Sequence, residues 1–268
     1  MKTKDEIISY FKSDKSDWYT ISDNGKKIWD KTKVREFWKL IRLNKMDVKD
    51  YNFDNFVFPE FESPNPPTSG NTKPTQCFWR DINSKCFENK TTFKSAKFLG
   101  RSEFKKVIFG GKTYFKNSTF EERTTFIDSE FKEFVSFYKA RFSDSVSYRG
   151  TNFERLSSFR SVKFRKDIVF FFTRFIGDVE FDNAKFDEKS VFQKIDFNRK
   201  ASFFEIRVRN NLLFKLIRII DDQFLVESIR FEKNGLTTFW DCNLNRNVLF
   251  RYVDTFKVVF HLSNISET

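Results

Sequence analysis

The chain has 268 residues, of which 39 are phenylalanine, and its net charge is +12 with a pI of about 9.5, so anionic partners come into consideration. A single histidine, His261, excludes a histidine triad, a two-histidine metal site and a histidine relay within one chain. Cys77, Cys86 and Cys242 fall in no metal-ligand spacing. Cys77 and Cys86 are near enough in sequence for a disulfide, with free thiols in a reducing compartment the other reading.

The first residues, Met1-Lys-Thr-Lys-Asp-Glu, are charged and lead into no apolar run, so no secretory signal is expected. Lys4 to Lys12 has Ile7, Ile8 and Phe11 on one side of a short helix. Lys31 to Asn44 carries Val34, Phe37, Trp38 and Ile41 at helical spacing, an amphipathic stripe. Residues 1–46 are therefore expected to form a small helical capping segment over an open end of the fold. The basic face of the second helix (Lys31, Lys33, Arg35, Lys39 and Arg42) keeps a partner-docking role open.

From 47 to 262 the expectation is one repeat domain. Phe53 and Phe58 are five residues apart and mark its first coil. Residues 62–76, rich in Ser, Pro, Asn and Thr, read as a loop insertion, with the array resuming near Trp79 or Ile82. From Phe87 to Phe214 a ring returns every six and then every five residues: Phe87, Phe93, Phe98, Phe104, Phe109, Phe115 and onward, with Tyr148 and Val208 as substitutes. Two residues before each ring stands a small or β-branched residue, such as Thr113, Ser118, Thr124 and Ser129. Positions i and i−2 share one side of an extended chain, so each unit points one ring and one small side chain inward. Spacings of five and six hold no face of a 3.6-residue helix. No turn signal breaks the rhythm as a hairpin meander requires. A fixed short period marks a solenoid, here all-β, whose units bury their apolar side by stacking on neighbours.

Small–x–Phe–x–x, with an extra residue in alternate units, resembles the pentapeptide-repeat family in its Phe-rich branch. The resemblance covers about half the chain strictly, from Phe87 to Phe214. It implies a right-handed quadrilateral β-helix with four short faces per coil. The extra residue departs from the family pattern and implies about 22 residues per coil instead of the usual 20, with a bulge at two corners. Four inward columns follow, led by Phe87, Phe93, Phe98 and Phe104, and Ile219, Leu225, Val208 and Phe214 continue them. Rings one coil apart should sit about 4.8 Å from each other. Tyr148 brings the one hydroxyl into these columns and is expected to find a corner carbonyl or a water.

After Phe214 the rhythm loosens. Residues 207–223 read as an irregular segment, a bulge or short helix, with the solenoid resuming and ending near Phe260. The apolar density of Val248, Leu249, Phe250, Val258, Val259 and Phe260 makes the C-terminal end a candidate homodimer face. Leu212 to Ile220 is the most apolar run, too short for a bilayer and interrupted by Lys215 and Arg218, so no transmembrane segment and a cytoplasmic location are expected.

No nucleophile elbow, phosphate loop or dinucleotide motif is present, and paired acids such as Glu121-Glu122 occupy outward positions on a convex surface without a cleft. No catalytic residue, metal site or cofactor is expected. Two outward features remain. Lys97, Arg141, Lys163, Lys185 and Arg207 recur in one column, with Thr119 between, as a candidate basic binding ridge. A nearby column containing Glu122, Asp144 and Glu188 would compensate that charge. The ridge lacks the interleaved exposed aromatics that single-strand binding uses. Val169, Phe171, Phe172, Val191 and Leu213 form a candidate apolar contact, covered by residues 207–223 or by a second copy of the chain. The resemblance implies a scaffold: some family members imitate duplex DNA with an acidic rod and protect or inhibit DNA gyrase, which a basic chain does not suit. The expected function is a non-catalytic scaffold or protein–protein interaction module binding another protein or itself. The alternative is a binder of nucleic acid or another anionic polymer or surface through the ridge.

Overall fold

The computed structural model describes residues 3–61, 87–220, 223–232, 234–243 and 248–261. Helix α1 (Lys4–Lys12) starts on a capping box: the Glu6 amide donates to the Thr3 hydroxyl at 3.2 Å and the Thr3 amide to the Glu6 carboxylate at 2.6 Å. Strands β1 (Tyr19–Ile21) and β2 (Lys27–Trp29) then form an antiparallel hairpin that the sequence reading did not include. Asp30 accepts from the Thr32 and Lys33 amides and starts helix α2 (Lys31–Ile41), which runs on into a π-turn at Arg42–Met46. The stripe Val34, Phe37, Trp38 and Ile41 is buried.

This N-terminal segment sits on the first coil. Phe11 meets Phe56 at 5.0 Å, Trp38 stacks on Phe58, and the Trp38 indole donates to the Glu60 carbonyl at 2.9 Å. Lys31 on the basic face of α2 is paired with Glu60, and Lys33 with Asp17 at 3.0 Å.

Beyond it the chain winds as a β-solenoid with four parallel sheets, numbered here in the order each coil visits them. Sheet 1 runs from Ile108–Phe109 to Arg218–Ile219 and has six strands. Sheet 2 runs from Thr91–Thr92 to Val248–Arg251, sheet 3 from Val57–Phe58 to Arg230–Phe231 and sheet 4 from Ser102–Glu103 to Val258–His261, each with eight strands. The register is 22 residues through the regular part, as in Phe109, Phe131, Phe153, Phe175, Phe197 and Ile219. All the rings of the four columns from Phe87 to Phe214 are buried. They stack with centroids 4.4 Å apart at Phe98–Phe120 and 5.5 Å apart at Phe142–Phe164, close to the strand spacing. Facing columns meet edge to face, as Phe126 does Phe137 at 5.5 Å.

The five-plus-six rhythm is two kinds of corner. After each ring of sheets 2 and 4 the chain turns in five residues through a left-handed residue: Ser95, Lys106, Asn117, Asp128, Lys139, Gly150, and onward every eleventh position to Leu216. At Phe115 the Ser118 amide closes this turn on the Phe115 carbonyl at 3.1 Å with Asn117 at φ 58°, a type II turn. The extra residue lies at the other two corners. The small inward residues also do polar work. Thr151 and Thr173 donate their hydroxyls to the Phe126 and Tyr148 carbonyls of the preceding coil, both at 2.7 Å.

The expected irregular segment at 207–223 is corrected by the structure. Residues 207–220 form three regular rungs, Arg207–Val208, Asn211–Lys215 and Arg218–Ile219. Val208 and Ile219 are smaller than the rings they replace but remain buried, so the ladder persists where the aromatic signal fades. The irregularity is one added residue, which sets Phe203 beside Val226 and not Leu225. Residues 62–76, Cys77, Trp79, Ile82 and Cys86 lie outside the described residues.

Candidate functional site

Sheet 3 carries the predicted basic residues on its outer surface. Pairing in register runs Lys97, Thr119, Arg141, Lys163, Lys185 and Arg207, and Arg230 extends it by a coil. Sequence reasoning missed Arg230 because the step to it is 23 residues. A shallow groove of about 240 Å³ beside the column is lined by Ser161, Lys163, Asn183, Lys185, Glu205, Arg207 and Arg230. Among the described residues, Arg141, Lys163, Lys185, Arg207 and Arg230 form no ion pair; the nearby pair is Arg165 with Asp187 at 2.7 Å. The carboxylates expected to compensate the ridge face elsewhere. Glu188 accepts from Asn210, and Glu122 lines a separate corner cavity with Glu60, Asp144 and Arg101, where burial pushes its carboxyl above the ordinary range against the pull of Lys27.

The predicted apolar residues lie on sheet 4 and its corner with sheet 1. Val169, Val191 and Leu213 stand in one outward column, half-buried. Phe171 stands in the next outward column with the Arg149 guanidinium 5.6 Å from its ring. Phe172 occupies the corner itself, 52% exposed and left-handed at φ 52°, with the Lys194 ammonium 4.6 Å from its ring. The structure adds Leu216 at the equivalent corner two coils on, and exposed Trp240, Ile176 and Ile220 nearby. A cavity of about 670 Å³ opens there, lined by Phe172, Lys194, Leu216, Arg174, Asp196 and Arg218 among others. Arg218 holds Asp196 through two bonds of 2.7 Å. Cover by residues 207–223 is corrected, since residues 207–220 are rungs of the wall.

A third feature went unseen in the sequence. At the corner between sheets 2 and 3, half-buried Tyr114 and Tyr138 are each flanked by two lysines. The rings flank different inward positions, Tyr114 before Phe115 and Tyr138 after Phe137, so no single column reveals them. In the last coil Tyr252 and Phe256 are 84% and 95% exposed.

The Cys242 thiol is buried, donates to the Phe214 carbonyl at 3.3 Å, and is pushed up by that burial. His261 lies against Trp240 at 4.8 Å. Among the described residues no group of three or more His, Cys, Asp or Glu side chains is placed to hold a metal ion, and no helix is long and apolar enough to cross a membrane.

Residues 104–151 match the family model of pentapeptide repeats, in nine copies. No curated protein and no solved structure matches the chain. The matched segment resembles that family's repeat, and the ladders continue its register on both flanks.

Proposed function

We propose that the protein is a non-catalytic scaffold in the cytoplasm that docks an acidic protein surface on the corner between sheets 4 and 1. The observation that carries this reading is Phe172. A bulky residue in the left-handed region costs about 1–2 kcal/mol relative to glycine's freedom there, and this one is also exposed. Leu216 repeats the choice two coils on, and Trp240 extends the apolar strip. Arg149, Lys194 and Lys215 each lie near one of its rings, so the rim is cationic and suits a partner with apolar anchors among carboxylates. A second copy, itself at +12, brings like charge to that rim. The exposed Tyr252 and Phe256 favour self-association through the last coil as the second reading. The buried free thiol of Cys242 accords with a reducing compartment.

The test is a photo-cross-linking side chain at position 172, with position 165 on sheet 3 as control, in extract of the cells that make the protein. An adduct with one acidic protein from 172 alone, competed by unlabelled protein but not by its Leu216→Asp variant, is the expected result. An adduct of the protein with itself, or dimers in sedimentation that Phe256→Asp dissolves, would replace the leading reading with the second. Equal labelling from both positions would overturn both.

A further inference from the structure

We infer that the corner between sheets 2 and 3, over residues 90–141, binds single-stranded nucleic acid, with bases on Tyr114 and Tyr138 and phosphates on the lysines beside them. This surface is diagonally opposite the apolar corner and is independent of it. Tyr114 pairs in register with Ser136 of the next coil, and the Asn117 amide donates to the Tyr138 carbonyl at 2.9 Å. The two rings are thus on consecutive coils, on either side of the same row of inward phenylalanines. Each is half-buried, and Phe134 braces Tyr114 edge-on at 5.7 Å. Such rings offer a supported surface to a stacking base without giving up the core.

The cations are placed on the rings themselves. The ammonium groups of Lys90 and Lys94 lie 5.7 and 5.1 Å from the Tyr114 centroid, and those of Lys116 and Lys139 lie 5.5 and 5.1 Å from the Tyr138 centroid. None of the four forms an ion pair among the described residues. The carboxylate beside Lys94, Asp54, is occupied by the Thr92 hydroxyl and the Lys94 amide. Past Tyr138 the same outward column continues as Arg160 and reaches its first carboxylate at Asp182, which the Ser202 hydroxyl and Phe204 amide hold. Four ammonium groups whose nearest attraction is a ring face are poised to exchange that weak contact for a phosphate, which frees the ring for a base. An arriving strand then continues onto Arg141 and Lys163, next in line on sheet 3.

The ring-plus-cation arrangement selects among polyanions. Duplex bases are already stacked on each other, whereas single-strand bases have open faces. A carboxylate polymer would use the lysines and leave the rings idle. The ridge itself lacks interleaved aromatics, and the two tyrosines lie one corner away from it.

The test uses a fluorescein-labelled 15-nucleotide oligothymidylate and the full chain, with anisotropy titrations at several salt concentrations. Binding at low salt is expected. Tyr114→Leu and Tyr138→Leu should each weaken it about 5- to 150-fold with the salt slope unchanged. Tyr→Phe at either position should retain wild-type binding. Lys94→Gln with Lys116→Gln and Lys139→Gln should reduce the slope of log K against log salt by about 2. Ultraviolet cross-linking of the wild-type protein to 5-bromouracil oligonucleotides should mark the peptides containing Tyr114 and Tyr138, a readout that needs no variant to fold. No binding at low salt, adducts only elsewhere, leucine variants that bind like wild type, or polyglutamate competing as well as the oligonucleotide would each overturn the proposal.

Discussion

Tyr148 stands between Phe126 at 5.0 Å and Phe170 at 4.7 Å, stacked on both, and its hydroxyl has no hydrogen-bond partner among the described residues. Burial alone pushes that phenol well above its ordinary range. The sequence showed that a ring belongs at this position, because a ring returns every fifth or sixth residue. It did not show what the hydroxyl would meet, and the expected corner carbonyl is absent. The corner carbonyls of its column, those of Phe126 and Tyr148, accept instead from the small inward hydroxyls of Thr151 and Thr173. An unsatisfied buried hydroxyl costs about 1–3 kcal/mol. Tyr148→Phe should therefore raise the free energy of unfolding by that amount in urea titration, and a loss of stability would contradict this account of the core.

At the scale of elements, the helical stripe of α2 was legible because four apolar residues at helical spacing have one face to bury. The hairpin of β1 and β2 was not, although Asn24-Gly25 signals its turn with Gly25 at φ 75°. Its strands are three residues each, too short for alternation to show. Between α1 and that hairpin lies Lys15, which is fully buried. Its ammonium donates to the Tyr10 and Ser13 carbonyls at 2.7 and 2.8 Å and lies 4.9 Å from the Trp18 ring. Burial lowers its pKa from 10.5 to about 8, with Asp14 and Asp17 opposing. A lysine depressed in the folded state burdens folding fully below pH 8, where both states are protonated. The burden fades as pH rises from about 8 toward 10.5, since the folded protein sheds the proton first. Tyr10, raised to about 12 chiefly by burial, reverses the trend above its unfolded value of 10. Stability of the N-terminal segment, followed by tryptophan fluorescence in urea, should rise between about pH 8 and 9.5 and stay flat in Lys15→Met. A fall over that window in the wild type would contradict the placement of Lys15.

For the whole molecule, the architecture was legible because inward positions are set by one rule repeated without a gap. The surfaces were only half legible. A column such as Lys97 to Arg207 follows from the period alone. A site built across a corner, such as Tyr114 with Tyr138 or Phe172 with Leu216 and Lys194, depends on which residues a turn brings side by side. The five-residue corners do this through left-handed residues, which sequence spacing does not announce when the residue is Phe or Lys instead of Gly or Asn. The later coils were misread for a related reason. Aliphatic residues at Val208 and Ile219 keep the ladder after the rings that betray it have gone.

The 22-residue coil underlies every one of these placements and is open to one direct measurement. With the native cysteines replaced, Arg141→Cys with Lys163→Cys introduces two thiols that are neighbours in register on sheet 3, within the separation a disulfide spans. Arg141→Cys with Ser161→Cys is spaced instead for a 20-residue coil. Under mild oxidation the account predicts an intramolecular disulfide in the first variant and free thiols in the second. A bond in the second variant and none in the first would contradict the coil, and with it every column and corner described above.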